Sequence, residues 1–343
     1  MTQEAPTPRR SRRGSGAVTL HDVAKLAGVA PITASRALNT PAQVSQEVRR
    51  RVADAIARTG YVPNRLAGSL ASTRSRLVAA VVPTISGPVF LETVQSLTEA
   101  LAERDYQLML GQSGYRGNRE DALLDAIIGR RPDGIVLTGI LHSADGRRRL
   151  LASGIPVVET WDLTPTPIDM LVGFSHVAVG AKVAEHLHAL GRRRFACVSG
   201  DDERAQRRQA AFEARTRELG LAAPAAVVVP APTTLRSGRA ALAQLLVRER
   251  SIDAVFCSSD LLALGVLTEA QARGVRVPER VAIIGFGDLD FAADLHPALT
   301  TVRINGGAIG RQAARFIIER AEGRTIEPRV VDIGFSIVTR HSA

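Results

Sequence analysis

From Leu77 onward, apolar runs of four to eight residues alternate with helical stretches of ten or more, and few architectures accommodate that rhythm. The runs are LVAAVVP (77–83), YQLMLGQ (106–112), DGIVLTG (133–139), IPVVETW (155–161), FACVSGD (195–201), AAVVVPA (225–231), DAVFCSSD (253–260) and VAIIGFGD (281–288). Strands alternating with helices point to parallel sheets with right-handed crossovers. A weak internal repeat divides the runs into two sets: RPDGIVL (131–137) parallels SIDAVFC (251–257), and GIPVVETWDL (154–163) parallels RVAIIGFGDL (280–289). Two Rossmann-like halves are therefore expected, with a ligand at the carboxyl ends of the strands and a cleft between the halves able to close on it.

The first 76 residues follow a different pattern. They hold 13 Lys and Arg against 4 acids, a net of +9 in a chain whose total is +10. A small basic unit joined to a large neutral one suggests a polyanion for the first part and a different partner for the second. Thr19 followed by Asp22 is a capping-box-like helix start, and Val23, Leu26 and Ala27 form an apolar face that Gly28 ends. Pro31 opens a second helix with Ala34, Ala37 and Leu38 on its inner side. Ser45 caps a third, in which Val48, Val52 and Ile56 recur every four residues up to Gly60. Three short helices, the first two joined by a tight glycine turn, fit a helix-turn-helix. Ile32, Thr33, Ser35 and Arg36 then occupy the outer face of the second helix. Arginine can pair with guanine and Ile32 can meet a thymine methyl, while Thr33 and Ser35 suit phosphate oxygens. Spacing alone would fit any small trihelical unit with Arg36 as a solvated charge; combined with the basic charge it favours DNA.

Residues VTLHDVAKLAGVAPITASRALN (18–39) and VSQEVRRRVADAIARTGYVPNRLAGSLAS (44–72) resemble the N-terminus of the lac repressor family of bacterial transcription regulators. The resemblance implies that Pro31, Ile32 and Arg36 face base edges. It also implies that NRLAGSLAS (64–72) is a hinge helix that folds on DNA and pushes Leu70 into the minor groove, with Asn64, Arg65 and Ala67 beside it; Thr19 joins this set of DNA contacts. Ala67, Gly68 and Ala71 are small enough for two such helices to lie side by side, and a leucine wedge unstacks a flexible pyrimidine–purine step most cheaply. Without the resemblance the segment reads as a plain linker. Two departures from the family pattern are Ala30, where a capping Ser or Thr is usual, and Ala34, where valine is usual.

The resemblance continues more loosely through HLHALGRRRFACVSG, SSDLLALGVL and RVAIIGFGDLDFAADLHPALTTVR, and implies a periplasmic-binding-protein-like core of two subdomains with a sugar-like effector between them. Arg208 matches the family's effector-binding arginine, although Arg204 and Arg207 beside it also fit an exposed helix charge. Ser259-Asp260 stands where asparagine-aspartate is common, Gly287-Asp288 where an aspartate pair is usual, and Ser175-His176 where an aspartate-asparagine pair often lies. The comparison leaves the cleft two carboxylates poorer with its arginine kept, which suits an anionic sugar acid. YQLMLGQSGY, GIPVVETWD and VGFS also resemble gluconate-operon repressors, so gluconate or a close sugar acid, free or phosphorylated, is the expected effector. Trp161, with Glu159 and Asp162, ends a strand near the cleft, where it either stacks on the ligand or packs as an ordinary core residue. Ser86 and Gly87 could present helix N–H groups to an anion.

Other readings are weaker. Cys197 and Cys257 lie in apolar runs and fit a reducing compartment; His186 and His188, two apart on a helix, cannot share a metal. No apolar stretch approaches the ~18 residues of a membrane span, and RRSRR (9–13) lacks the apolar segment of an export signal, so a cytoplasmic protein is expected. An enzyme on the same fold would need a phosphate loop or a nucleophile elbow, and neither motif occurs. A periplasmic solute-binding protein would not carry the basic unit. The expected organisation is a basic tail (1–17), a helix-turn-helix domain (18–63), a hinge and linker (64–76) and a two-lobed effector and dimerisation domain (77–340), forming a dimer on a palindromic operator. TRHSA at the end offers no leucine heptad for a tetramer. The sign of control stays open, since a ligand that promotes DNA binding occurs in the same family.

Overall fold

The computed structural model describes residues 18–62, 74–115, 120–141 and 143–343. The chain divides into two compact units, Met1–Thr73 and Arg74–Ala343.

Within the first unit, α1 (Leu20–Ala27), α2 (Pro31–Asn39) and α3 (Gln46–Thr59) pack around Val23, Ala24, Ala27, Ala34, Val52 and Ala55. The capping box is formed: the Thr19 hydroxyl accepts from the Asp22 amide, and the Asp22 carboxylate accepts from the Thr19 amide at 2.8 Å. Those bonds hold the Asp22 carboxyl below its ordinary range. Gly28 ends α1 at φ +62, as the turn requires. One arginine of this basic unit is structural: Arg51 donates from Nε to the Ala27 carbonyl at 2.9 Å and from Nη2 to the Gly28 carbonyl at 2.8 Å, capping α1 from α3. Ala30 gives α2 no side-chain cap.

The second unit holds two six-stranded sheets. One comprises β1 (Leu77–Val82), β2 (Gln107–Gln112), β3 (Gly134–Thr138), β4 (Val157–Thr160), β5 (Met170–Gly173) and β11 (Val330–Asp332), in the order β11-β5-β4-β3-β1-β2. The other comprises β6 (Phe195–Gly200), β7 (Ala225–Val229), β8 (Ala254–Cys257), β9 (Ala282–Phe286), β10 (Thr300–Arg303) and β12 (Ser336–Val338), in the order β12-β10-β9-β8-β6-β7. The two orders correspond strand for strand. All pairings are parallel except β10 with β12. Both faces of the central strands are covered: Val78 and Ala80 of β1 enter one apolar cluster, Ala79 and Val81 another.

Helices α4 (Leu91–Ala102), α5 (Glu120–Ile128), α6 (Ala144–Ser153) and α11 (Gly306–Ala321) serve the first lobe; α7 (His176–Ala189), α8 (Glu203–Glu218), α9 (Leu235–Arg248) and α10 (Asp260–Ala272) serve the second. The chain crosses between lobes three times, after β5, β10 and β11. No helix among the described residues is long and apolar enough to cross a membrane. Strands β5, β10, β11 and β12 lie outside the runs singled out from sequence. They are only three or four residues long; β10 buries two threonines, whereas Met170, Leu171 and Val172 of β5 form a short apolar run that is fully buried.

The internal repeat has a physical basis in its aspartates. Asp133 accepts from the Ser75 and Arg76 amides at 2.8 and 2.9 Å, fixing the chain as it enters β1. Asp253 does the same for Arg193 and Arg194 before β6, at 2.8 and 2.9 Å. Asp133→Ala or Asp253→Ala should each cost about 1–3 kcal/mol, seen as a lower urea midpoint at unchanged slope. An unchanged midpoint would mean water replaces these bonds without loss.

Candidate DNA-reading helix and effector cleft

Helix α2 leaves Pro31, Ile32 and Arg36 exposed, Thr33 and Ser35 half-exposed, and turns Ala34 wholly inward. Ile32 stands 60% exposed, outside the apolar cluster of the unit. Ser35 accepts from Asn39 Nδ2 at 3.2 Å. Thr19 is exposed at the start of α1 with its hydroxyl engaged by Asp22. Asn64, Arg65, Ala67 and Leu70 lie outside the described residues.

In the second unit a cleft opens between the lobes, at the carboxyl ends of both sheets. The first lobe contributes Val89, Phe90, Tyr115 and Trp161, and the second contributes Arg204, Arg208, Ser259, Asp260 and Phe286.

Arg208 is the best-determined member. Its helix α8 packs on α7 at Gly180, where an added Cβ would lie 2.1 Å from the Arg208 carbonyl oxygen. Such closeness admits only glycine. The guanidinium is 5% exposed, lies 3.9 Å from the centre of the Phe286 ring, and donates from Nη1 to His176 Nδ1 at 2.9 Å and from Nη2 to the Ser258 carbonyl at 3.0 Å. Its Nε is buried with no hydrogen-bond partner, and it makes no ion pair among the described residues. Burial pushes its pKa down to about 10, which leaves it charged at neutral pH. His176, 2% exposed, faces the Trp161 carbonyl through Nε2 at 2.9 Å. Burial, then the Arg208 charge, holds its pKa well below the ordinary histidine value.

Four of the seven effector residues expected from sequence line the cleft: Trp161, Arg208, Ser259 and Asp260. Trp161 is 3% exposed, at φ +66, with Nε1 donating to Thr93 at 3.0 Å and its ring edge-on to Phe90 and Phe174. It is a fixed wall. Ser259 caps α10 and pairs with Thr233 at 2.9 Å. Asp260 accepts from Thr301 at 2.6 Å and from the Leu289 amide at 2.8 Å; burial raises its pKa to about 6 against the effect of those bonds.

Three expectations are corrected. Ser86 bonds to Thr84 at 2.7 Å, away from the cleft lining, and Pro88 behind it removes an N–H that an anion would need. Ser175 caps α7 by accepting from the Ala178 amide at 3.1 Å, so the lining residue of that pair is His176. Asp288 is turned away and held by Arg340, at 2.7 Å, and Arg303. Nor is the cleft as poor in carboxylates as the comparison suggested, because Asp202, which caps α8, also lines it. Arg204, also missed as a site residue, reaches from α8 to the Thr138 carbonyl at 3.3 Å and lies over Phe90. Beside it Arg207 pairs with Asp162 across the lobes at 2.9 Å. The three arginines recur at i, i+3 and i+4, a spacing that puts them on one helix face and could have identified them together.

A helix-turn-helix unit joined to a two-lobed body with a charged interlobe cleft defines a ligand-responsive DNA-binding regulator. Residues 19–64 match the model described as bacterial regulatory proteins, lacI family, and residues 184–343 match the periplasmic binding protein-like domain. The HTH-type transcriptional regulator GntR of Pseudomonas aeruginosa is 37% identical over 335 residues, covering 97% of this chain and 98% of that protein. A crystal structure of a lacI-family transcriptional regulator from Silicibacter pomeroyi superposes with a TM-score of 0.90 at 31% identity, over 95% of this chain and 99% of that one. The complex of the transcriptional regulator CelR with cellobiose superposes with a TM-score of 0.68 at 32% identity, over 95% of this chain and 100% of that one. The chain belongs to the lacI family of bacterial regulatory proteins. It is a DNA-binding transcription regulator, and these relatives are regulators rather than enzymes.

Gly180→Ala should force α7 and α8 apart, costing about 1–3 kcal/mol as overpacking does, and blunt any ligand response by moving Arg208. Denaturation and ligand titration of the same sample would read both. A variant with wild-type stability would show that the helices adjust freely.

Proposed function

We propose that the protein is a repressor that binds a palindromic operator as a homodimer and releases it when a small sugar acid, gluconate or a close relative, closes the interlobe cleft. The observation that carries the effector class is Arg208, a buried cation with an unpaired N–H and no ion pair among the described residues, on the wall of that cleft. A carboxylate would supply the missing acceptor and the missing charge together. The 37% identical relative named GntR and the sequence resemblance to gluconate-operon repressors support the same class.

On the DNA side, Pro31, Ile32 and Arg36 would read base edges and Thr19, Thr33 and Ser35 would meet the backbone. Residues 64–72 would form the paired hinge, with Leu70 as the wedge and Asn64, Arg65 and Ala67 against the minor groove. In this reading the organisation is tail 1–17, DNA-binding domain 18–63, hinge and linker 64–76, and effector and dimerisation domain 77–340. A neutral sugar is the competing effector, favoured by Asp202 and Asp260 in the cleft and by the neighbouring CelR–cellobiose complex.

Selecting bound duplexes from a random DNA pool, with and without gluconate, tests the whole reading. A palindrome with a pyrimidine–purine centre, weakened by gluconate, is expected; a palindrome indifferent to gluconate but weakened by glucose or cellobiose would replace the effector. Salt-sensitive binding with no consensus would leave only a nonspecific polyanion binder. Arg36→Ala should cost about 1–3 kcal/mol on the selected site and little on random duplex, whereas Leu70→Ala should mainly flatten the preference at the centre. Arg208→Ala should abolish the gluconate response and leave operator affinity intact, checked by titrating gluconate into the preformed complex.

A further inference from the structure

The side chain that most affects the charge of the cleft is not itself charged. His176 sits between two fixed neighbours of opposite kind. Nε2 faces the Trp161 carbonyl, which can only accept, and Nδ1 faces Arg208 Nη1, which can only donate. The pair prescribes one state of the ring: proton on Nε2, lone pair on Nδ1, no net charge. Adding a proton at Nδ1 would set N–H against N–H beside a guanidinium. The ring cannot turn away, since Phe174 lies edge-on at 4.6 Å and Phe286 closes the other side at 6.3 Å.

The consequence falls on Arg208. Its Nη1 is satisfied by a neutral lone pair and its Nη2 by a backbone carbonyl, so two hydrogen bonds orient the guanidinium without cancelling its charge. No carboxylate among the described residues pairs with Arg208 directly, although the Asp202 charge acts on it. Asp260 spends one oxygen on Thr301 and the other on the Leu289 amide, Asp162 is paired with Arg207, and Asp202 caps α8. A carboxylate at position 176 would meet Arg208 directly and remove the demand for an anion.

We infer that His176 is the positioning residue that sets the effector's charge: by holding Arg208 through a neutral acceptor it reserves the guanidinium for an anionic ligand. This deepens the sugar-acid reading and rests on it. Gluconate and glucitol form the discriminating pair, because they share a polyhydroxylated six-carbon chain and differ in a carboxylate against a neutral CH2OH.

The test is calorimetric titration of both ligands into full-length wild type, His176→Asp and His176→Asn, with binding to the selected operator confirming that each variant is folded. Wild type should prefer gluconate. His176→Asp should reduce that preference by roughly ten- to a hundredfold, the worth of a hydrogen bond to a charged group. His176→Asn, neutral and still able to accept, should retain most of it. A preference that survives His176→Asp, or one lost equally in both variants, overturns the assignment to charge at position 176. A wild type that takes glucitol as readily as gluconate overturns the sugar-acid reading itself, and this assignment with it. Nitrogen NMR of labelled histidine in wild type provides a readout independent of the variants. One ring should remain the Nε2–H tautomer from about pH 8 down to 5, a range in which an ordinary histidine titrates; titration of the ring assigned to His176 in that range would overturn the proposal.

Discussion

A guanidinium buried without a counterion is expensive, and the second unit is arranged around holding one. Arg208 reaches its position because Gly180 lets α8 lie directly against α7, and it keeps that position because His176, the Ser258 carbonyl and the Phe286 ring leave it one orientation. Each of these supports comes from a different part of the chain: the start of α7, the end of β8 and the end of β9. A ligand that brought the compensating charge would offset that cost. In the absence of ligand the site is under-satisfied, which is the condition for a ligand to have a large differential affinity between two arrangements of the lobes.

The lobes meet through the same helix. From α8, Arg204, one turn before Arg208, reaches the Thr138 carbonyl, and Arg207, its immediate neighbour, reaches Asp162, both on the first lobe. A ligand held by Arg208 and walled by Trp161 and Phe90 would touch both lobes at once, so its binding energy and the interlobe contacts favour the same closed arrangement. At the opposite end of β3 from Thr138, Asp133 holds Ser75 and Arg76, where the chain enters the body. One strand thus connects the wall of the cleft to the point where the chain enters the second unit, at Ser75 and Arg76.

Much of this was legible in the sequence, and the failures have physical reasons. Apolar runs marked eight strands, six of them interior to their sheets, where a strand covered on both faces has no polar positions to interrupt it. The edge strands β11 and β12 are partly exposed and three residues long, and no pattern of that length stands out. Arg208, Ser259 and Asp260, expected from position in the family pattern, and Trp161, expected from its place at a strand end, line the cleft. Ser86, Ser175 and Asp288 failed because position along the chain does not give the direction of a side chain: Ser175 and His176 are neighbours, yet one caps a helix outward and the other lines the cleft. Asp288 was claimed by Arg340, from a tail more than fifty residues later whose Ser342 is fully buried between Ile283 and Thr300. No local pattern records such a contact.

The DNA-binding unit meets the opposite constraint, a core too small to do the work alone. Its buried apolar side chains are chiefly alanines with two valines, so the hydrophobic contribution is modest and the polar ends of the helices matter more than usual. The Thr19–Asp22 box secures the start of α1, Ser45 the start of α3, and Arg51 ties the end of α1 to α3 through two carbonyls. Gly28 serves that tie twice, by its left-handed backbone and by leaving room for Arg51 Nη2, which an added Cβ would meet at 2.8 Å. Helix α2, whose outer face exposes Ile32 and Arg36, is the one left without a side-chain cap, at Ala30. The polar ties of the unit therefore lie on α1 and α3, while α2 owes its start to Pro31 and its place to Ala34 and the partly buried Ala37. A helix so lightly held can shift at little cost to the rest of the unit, because the side-chain caps and the Arg51 tie all lie on α1 and α3.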